Sequence, residues 1–243
     1  MYLFHRDPGA DGVGVAFSDA VAPDGSVLSL GGAHGAGGRA PGLAVVEADL
    51  GLPLAVLRQV HGVAVADADA ASLDQLAAIQ ADGLVATRSG FGLAVRVADC
   101  VPVLLADRGA GVIGAAHAGR VGLAAGVLQA TVQAMRAKGA TQLEAWIGPH
   151  ICGHCYEVPE QLADQVAAQV PGTRSITSWG TPGLDLGAGA RGVLERLGVR
   201  ATDVGRCTLE NPDLHSHRRD AGASGRQAGI IWLSDACRTK NAG

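Results

Sequence analysis

Aromatic side chains are scarce in this chain: three Trp, two Tyr and three Phe among 243 residues. A core must therefore be assembled from Ala, Val and Leu, and at 48% hydrophobic the chain has enough of them for one sizeable core. There is also little excess charge. A net charge of −4 gives no electrostatic reason to expect nucleic acid or an anionic membrane as a partner. Long apolar runs are missing, because Arg96, Asp99 and Asp107 break the most hydrophobic region, so no bilayer-spanning segment is expected. The start, MYLFHRDPGADG, has no charged stretch leading into an apolar one, so no secretory signal is expected. Five cysteines do not make a paired disulfide framework, which points to a reducing, cytoplasmic setting. The glycine-rich stretch Ser26–Gly38 has no lysine after its glycines and no G-x-G-x-x-G frame, and reads as a surface loop rather than a nucleotide cradle. With no linker and no internal repeat, residues 1–243 are expected to form a single domain.

The most informative stretch is Leu93–Gly122. Three strand-length apolar runs, Leu93–Val97, Val101–Ala106 and Val112–Ala116, follow one another there. Asp99 and Cys100 come after the first run and His117 after the third. A thiol and an imidazole at the ends of adjacent buried strands suit metal ligation or Cys/His chemistry, although small buried Cys and hydrogen-bonded His are also ordinary core residues. Further strands are predicted at Val13–Phe17, Leu54–Val60 (with Val63–Ala66 continuing it), Leu84–Thr87, Leu143–Ile147, Gly205–Leu209 and Ile230–Leu233. Helices are predicted at Leu123–Lys138, Pro159–Val170 and Leu184–Leu197. Ala81-Asp82-Gly83 reads as a turn, and residues 1–50 are otherwise poorly patterned. Strands that follow one another, with helices spread between, indicate mixed α/β layers of the α+β kind rather than a doubly wound parallel sheet.

Three constellations could carry chemistry. His61, Cys100 and His117 are far apart in sequence, but two imidazoles and a thiolate would make a three-ligand zinc site with a fourth position open. Cys152 and Cys155 form a CxxC within Cys-Gly-His-Cys, flanked by His150 and His154. With no second CxxC to complete a structural zinc site, it reads as a surface turn with incidental thiols, a redox pair being the sharper alternative. Arg218, Arg219 and Arg226 form a basic cluster that is either a solvated face or a phosphate site. Arg120 lies in the loop between His117 and the start of the predicted helix, where free backbone N–H groups also favour anions.

In order, Gln59-Val-His-Gly62, Ala81-Asp-Gly83, Ala98-Asp-Cys-Val-Pro102, Ala116-His-Ala-Gly119, Ile147-Gly-Pro149, Cys155-Tyr-Glu-Val158 and Ser216-His-Arg-Arg-Asp220 with Gly225-Arg-Gln227 resemble the YfiH-like, or laccase-domain, family. That family is also called multicopper polyphenol oxidoreductases and purine nucleoside phosphorylases. The motifs run from about residue 55 to 233. The resemblance implies an α/β/β/α sandwich and a Zn2+ ion, rather than copper, held by His61, Cys100 and His117. It also implies phosphorolysis of adenosine, inosine, guanosine and methylthioadenosine, with adenosine deamination, so that the partners are small purine nucleosides and phosphate. On this reading Cys100, His117 and Asp99 are the catalytic candidates, and Arg120, Arg218 and Arg219 the phosphate-binding ones. The chain departs from the family where Arg120-Val121-Gly122 stands in place of Trp-Arg-Gly. Competing readings are an amide hydrolase with Cys100 as nucleophile and His117 as base, a copper-dependent phenol oxidase, and a non-catalytic redox protein using Cys152 and Cys155.

Overall fold

The computed structural model describes residues 1–9, 12–31 and 40–234. The strands and helices run β1 (Tyr2–Arg6), β2 (Val13–Ser18), α1 (Pro41–Leu50), β3 (Leu54–Ala55), β4 (Val65–Asp67), α2 (Leu73–Ala78), β5 (Gly83–Ala86), β6 (Gly92–Val97), β7 (Val101–Asp107), β8 (Val112–Ala118), α3 (Arg120–Ala125), α4 (Val127–Ala137), β9 (Glu144–Ile147), α5 (Glu160–Gln169), β10 (Arg174–Ile176), β11 (Pro182–Leu184), α6 (Leu186–Arg196), β12 (Arg200–Asp203), α7 (His217–Asp220) and β13 (Gln227–Leu233). Two mixed sheets result, a five-stranded one in the order β1-β2-β13-β6-β3 and a six-stranded one in the order β12-β9-β7-β8-β5-β4. Their facing surfaces pack through Val15, Phe17, Leu93, Val95 and Ile231 on one side and Leu84, Leu104, Ile113 and Ala115 on the other. Beyond the six-stranded sheet lie α3, α4, α5 and α6, packed through Leu123, Leu128, Met135, Val166, Ala190 and Leu194. Leu43 and Val46 of α1 cover the outer face of the five-stranded sheet. The layers are therefore α/β/β/α in one domain, as the resemblance implies. Ala, Val, Leu and Ile supply most of the sheet–sheet interface, and Phe17, Phe91 and Trp146 are buried among them.

The local corrections have identifiable causes. The predicted helix 123–138 starts earlier and is broken in two. Gly126 adopts φ 102°, a left-handed conformation that ends α3 and lets α4 start on a new axis. The segment after His117 thus feeds a helix of only six residues rather than one long one. Leu54–Val60 is a strand only over Leu54–Ala55; Arg58 then bridges to Gln80. No strand forms at 205–209. The strand lies earlier, at β12, parallel to β9, and Cys207 makes a single bridge to His150. Helix α1 escapes pattern reading because its residues are apolar nearly all round, so no stripe stands out. Helix α2 does carry a local signal, a capping box in which Ser72 and Gln75 satisfy each other's backbone N–H. The glycine-rich loop expected at 26–38 is described only as far as residue 31, and the C-terminal tail from Arg238 lies outside the described residues. Among the described residues, no helix is long and apolar enough to cross a membrane.

Candidate metal centre and substrate cavity

The centre forms where the chain passes from one sheet to the other. β6 belongs to the five-stranded sheet and β7 to the six-stranded one, so Ala98-Asp99-Cys100 must bend sharply between them. Asp99 takes φ 83° to do so. Cys100 directly precedes Val101, and Val101 and Pro102 pair with Ala118 and His117 of β8. Antiparallel pairing therefore delivers the thiol and the imidazole to the same sheet end. His61 arrives from the loop after β3, itself at φ 60°. A left-handed conformation at a non-glycine residue costs energy, of order 1–3 kcal/mol. At the centre both instances are held by specific hydrogen bonds.

Asp82 does the holding at His61. The sequence reads it as a turn residue, yet it is completely buried. Oδ1 accepts from the His61 N–H at 3.0 Å, and Oδ2 from the N–H groups of Val60 at 3.2 Å and Gly62 at 2.7 Å. Oδ1 also lies 2.7 Å from His117 Nδ1. The Asp82 carbonyl accepts from the His117 N–H at 2.8 Å. One carboxylate thus sets the His61 loop and fixes the His117 ring through Nδ1, so that Nε2 is the nitrogen that could ligate a metal, as carboxylates orient imidazole ligands in metal sites. Burial alone would raise the Asp82 pKa, but His117 and the backbone N–H groups bring it below the ordinary carboxylate range. The Ala-Asp-Gly motif was the available signal; its partners were not legible. Upstream, the Gln59 amide donates to the Arg96 carbonyl and accepts from the Arg96 N–H, both at 2.8 Å, clamping this loop to β6.

The donor atoms of His61, Cys100 and His117 all lie within 4.8 Å of one another. Cys100 Sγ is 3.8 Å from His61 Nε2, and the two imidazole rings meet edge-on with centroids 4.8 Å apart. Burial pushes the Cys100 thiol up, but the neighbouring imidazoles, His117 foremost, more than offset this and bring it down to about 6. Burial likewise disfavours the charged form of His117, and the Cys100 sulfur and Asp82 carboxylate outweigh it, raising His117 to about 9. Gly119 makes room for the set: a Cβ there would sit 2.7 Å from His61 Cδ2 and 3.1 Å from Cys100 Sγ. The three residues could hold a metal. A thiolate with two imidazoles suits zinc with one position open, and the same donor set occurs in copper sites.

Beside these donors is a cavity of ≈ 250 Å³. His61, Asp99 and Cys100 form its floor, and Ile151, Tyr156 and Leu186 an apolar wall. Ala98, Arg120, Val121, His217 and Arg218 complete the lining. The Arg218 guanidinium lies over the Tyr156 ring, 5.1 Å from its centroid, and donates to the Glu157 carbonyl at 3.0 Å. Each carboxylate oxygen of Asp99 is anchored: Oδ1 accepts from Thr208 Oγ1 and Oδ2 from the Arg218 N–H, each at 2.6 Å. Arg219 is not brought to the cavity. Its guanidinium donates to the carbonyls of Thr208, Leu209, Asn211 and Leu214 and to the Asp220 carboxylate, and so is spent on holding the 208–214 loop. Arg226 is likewise turned onto the Ser224 and Gly225 carbonyls. Sequence reasoning missed His217, one position before Arg218 in the same motif.

Residues 42–234 match the family model described as multi-copper polyphenol oxidoreductase laccase. The chain belongs to this family. Among curated laccase-domain relatives it is 50% identical over 182 residues to "Purine nucleoside phosphorylase ORF3" of Streptomyces griseus, covering 73% of each chain. It is 44% identical over 194 residues to "Purine nucleoside phosphorylase Rv2149c" of Mycobacterium tuberculosis, covering 77% of this chain and 76% of that one. Among solved structures, Neisseria meningitidis protein NMB0706 superposes with a TM-score of 0.77 at 32% identity, over 95% of this chain and 98% of that one. Bacillus licheniformis YfiH gives a TM-score of 0.78 at 25% identity, over 91% and 93%.

Proposed function

We propose that this laccase-domain protein is a zinc-dependent purine nucleoside phosphorylase working in the cavity beside His61, Cys100 and His117. One observation carries the reading. A single cavity is lined by two of the three metal-competent donors, His61 and Cys100, with His117 directly behind them, by the apolar side chains Ile151, Tyr156 and Leu186, and by Arg120 and Arg218, whose charges suit a dianion. Relatives at 44–50% identity are named purine nucleoside phosphorylases, which supports the reaction.

In this reaction an oxygen of phosphate bonds to C1′ of the ribose as the C1′–N9 bond breaks. The electron pair leaves with the purine, which takes up a proton, and ribose 1-phosphate remains. Arg120 and Arg218 would hold the phosphate, their guanidinium forks matching its oxygens. Ile151, Tyr156 and Leu186 would seat the base and exclude water from it. Asp99 acts as a positioning residue, since both its oxygens are used to hold Thr208 and the backbone of Arg218. Zinc bound by the three donors would supply Lewis-acid charge and acidify water. The same site would then support adenosine deamination, in which water adds at C6 and ammonia departs. Adenosine, inosine, guanosine and methylthioadenosine are the substrates to try.

The test is incubation of metal-loaded protein with each nucleoside, with and without phosphate, and chromatography of the bases formed. Phosphate-dependent release of adenine or hypoxanthine that disappears in Cys100→Ala supports the reading. No product, or full activity in Cys100→Ala, overturns it.

A second reading has its own observation, the Cys100 thiol brought down to about 6 beside an imidazole. This is the arrangement of an activated nucleophile, and it would make the chain an amide hydrolase. Rapid alkylation of Cys100 in the protein as purified would favour it. Protection of Cys100 until a chelator is added would favour the metal. Elemental analysis of the same sample separates zinc from copper, and with copper a phenol oxidase.

A further inference from the structure

The thiols read from sequence as incidental have partners. Cys152 and Cys155 meet Cys207 and Glu210, and the ligand atoms of all four lie within 4.8 Å of one another. The two halves have the same spacing: Cys152-x2-Cys155 and Cys207-x2-Glu210. The missing second CxxC is present as Cys-x2-Glu, its last thiolate replaced by a carboxylate. Each half is a tight turn. Cys155 and Tyr156 N–H both donate to the Cys152 carbonyl at 3.0 Å, and the Asn211 N–H donates to the Cys207 carbonyl at 3.1 Å. The turns are locked side by side, His150 N–H to the Arg206 carbonyl at 3.2 Å and Thr208 N–H to the His150 carbonyl at 3.0 Å. The Cys152 N–H points at Cys207 Sγ, 3.5 Å away, tying the first turn to the second. Cys155 is buried, Cys152 and Cys207 are half-buried, and none of the three is in a disulfide.

We propose that Cys152, Cys155, Cys207 and Glu210 form a second metal site, closed and structural, that takes Zn2+. Three thiolates and a carboxylate complete a tetrahedron, leaving no open position for substrate. Zn–S bonds of about 2.3 Å place tetrahedral sulfurs ~3.8 Å apart, inside the observed spread. Soft thiolates select zinc over magnesium or calcium. The neighbouring histidines are used elsewhere or not required: His150 Nδ1 is 2.8 Å from the Gly148 carbonyl, so that ring is already oriented.

The site would staple one wall of the cavity. Ile151 and Tyr156 line that cavity and flank the first turn. From the second turn Thr208 reaches Asp99, and the Ile151 N–H donates to the Asp99 carbonyl at 3.0 Å. A zinc ion joining the two turns would therefore hold Asp99, and through it the Arg218 backbone, without touching substrate.

The test is metal content of the reduced full-length protein after dialysis, for the wild type, Cys100→Ala, Cys207→Ser and Glu210→Gln. Two zinc ions per wild-type chain and one in each of Cys100→Ala and Cys207→Ser are expected. Failure of the Cys100 site alone leaves the zinc of the second site in place, so the two proposals fail separately. If Cys207→Ser does not fold, the exposed Glu210→Gln replaces it, with at least about a tenfold loss of zinc affinity in chelator competition, since even outer partners of a metal site cost that much. Loading Cys100→Ala with Co2+ should give sulfur-to-cobalt charge-transfer absorption and slow hydrogen exchange in residues 150–156 and 206–211. Wild-type metal content unchanged by both Cys207→Ser and Glu210→Gln, or an intact mass two hydrogens light from a disulfide among these cysteines, would overturn the proposal.

Discussion

Replacing Asp82 by Asn changes one atom at the hub of the centre and leaves its shape intact. The carboxylate accepts four close contacts, from the N–H groups of Val60, His61 and Gly62 and from His117 Nδ1. Two fall on Oδ1 and two on Oδ2, so whichever way the amide turns, its NH2 faces two donors. Hydrogen bonds to a charged group are worth about 1.5–3 kcal/mol each, and losing two inside a fully buried site sums to about 3–6 kcal/mol. Partial turning of the loop would relieve some of this, so about 3–5 kcal/mol is expected, the range for removing one partner of a buried charged pair. His61 would also lose the bond that holds its left-handed backbone, and His117 the anchor of its ring. Metal affinity at the His61/Cys100/His117 centre should then fall 10–100-fold. Urea unfolding of metal-free protein measures the first effect and competition with a chromophoric chelator the second. Stability within about 0.5 kcal/mol of wild type, together with unchanged affinity, would refute the assignment of Asp82 as organiser of the centre.

Gly119→Ala should weaken metal binding by about tenfold or more, because the added Cβ would fall 2.7 Å from the His61 ring; isothermal titration with zinc checks this. Asp107 accepts from the N–H groups of Ala110, Thr141 and Gln142. Burial raises its pKa, but those bonds outweigh it and hold the group below the ordinary carboxylate range. A depressed folded pKa means stabilisation that is complete above the unfolded value and lost as pH falls through the folded one. Asp107→Asn should therefore cost about 2 kcal/mol at neutral pH, with the deficit shrinking in acid-unfolding measurements below about pH 3.5. The two arginines at opposite ends of the phosphate expectation should separate cleanly. Arg120→Ala should raise the KM for phosphate about tenfold with little change in urea midpoint. Arg219→Ala should lower stability by about 2–4 kcal/mol and loosen residues 208–214 in hydrogen exchange.

The apolar runs of β2, β6, β7, β8, β9 and β13 and the stripes of α4, α5 and α6 were readable because burial writes itself into local periodicity. So was the candidate trio, since His61, Cys100 and His117 sit in motifs whose order along the chain is itself a signature. What could not be read was which distant groups share a point in space. Asp82 looks like a turn residue until the His61 loop folds over it and β8 places His117 against it. Arg219 and Arg218 are neighbours in sequence, yet the 208–214 carbonyls and Asp220 take up one guanidinium and leave the other on the cavity. Cys207 and Glu210 gain meaning only because the parallel β9–β12 pairing and the bridge from His150 to Cys207 lay that turn beside Cys152 and Cys155. Local sequence determines which segments can be strand, helix or ligand, because propensity and spacing act over a few residues. Tertiary structure alone decided which carboxylate, arginine or thiol stands beside each candidate site, because those contacts are set by sheet order and by loops meeting across the fold.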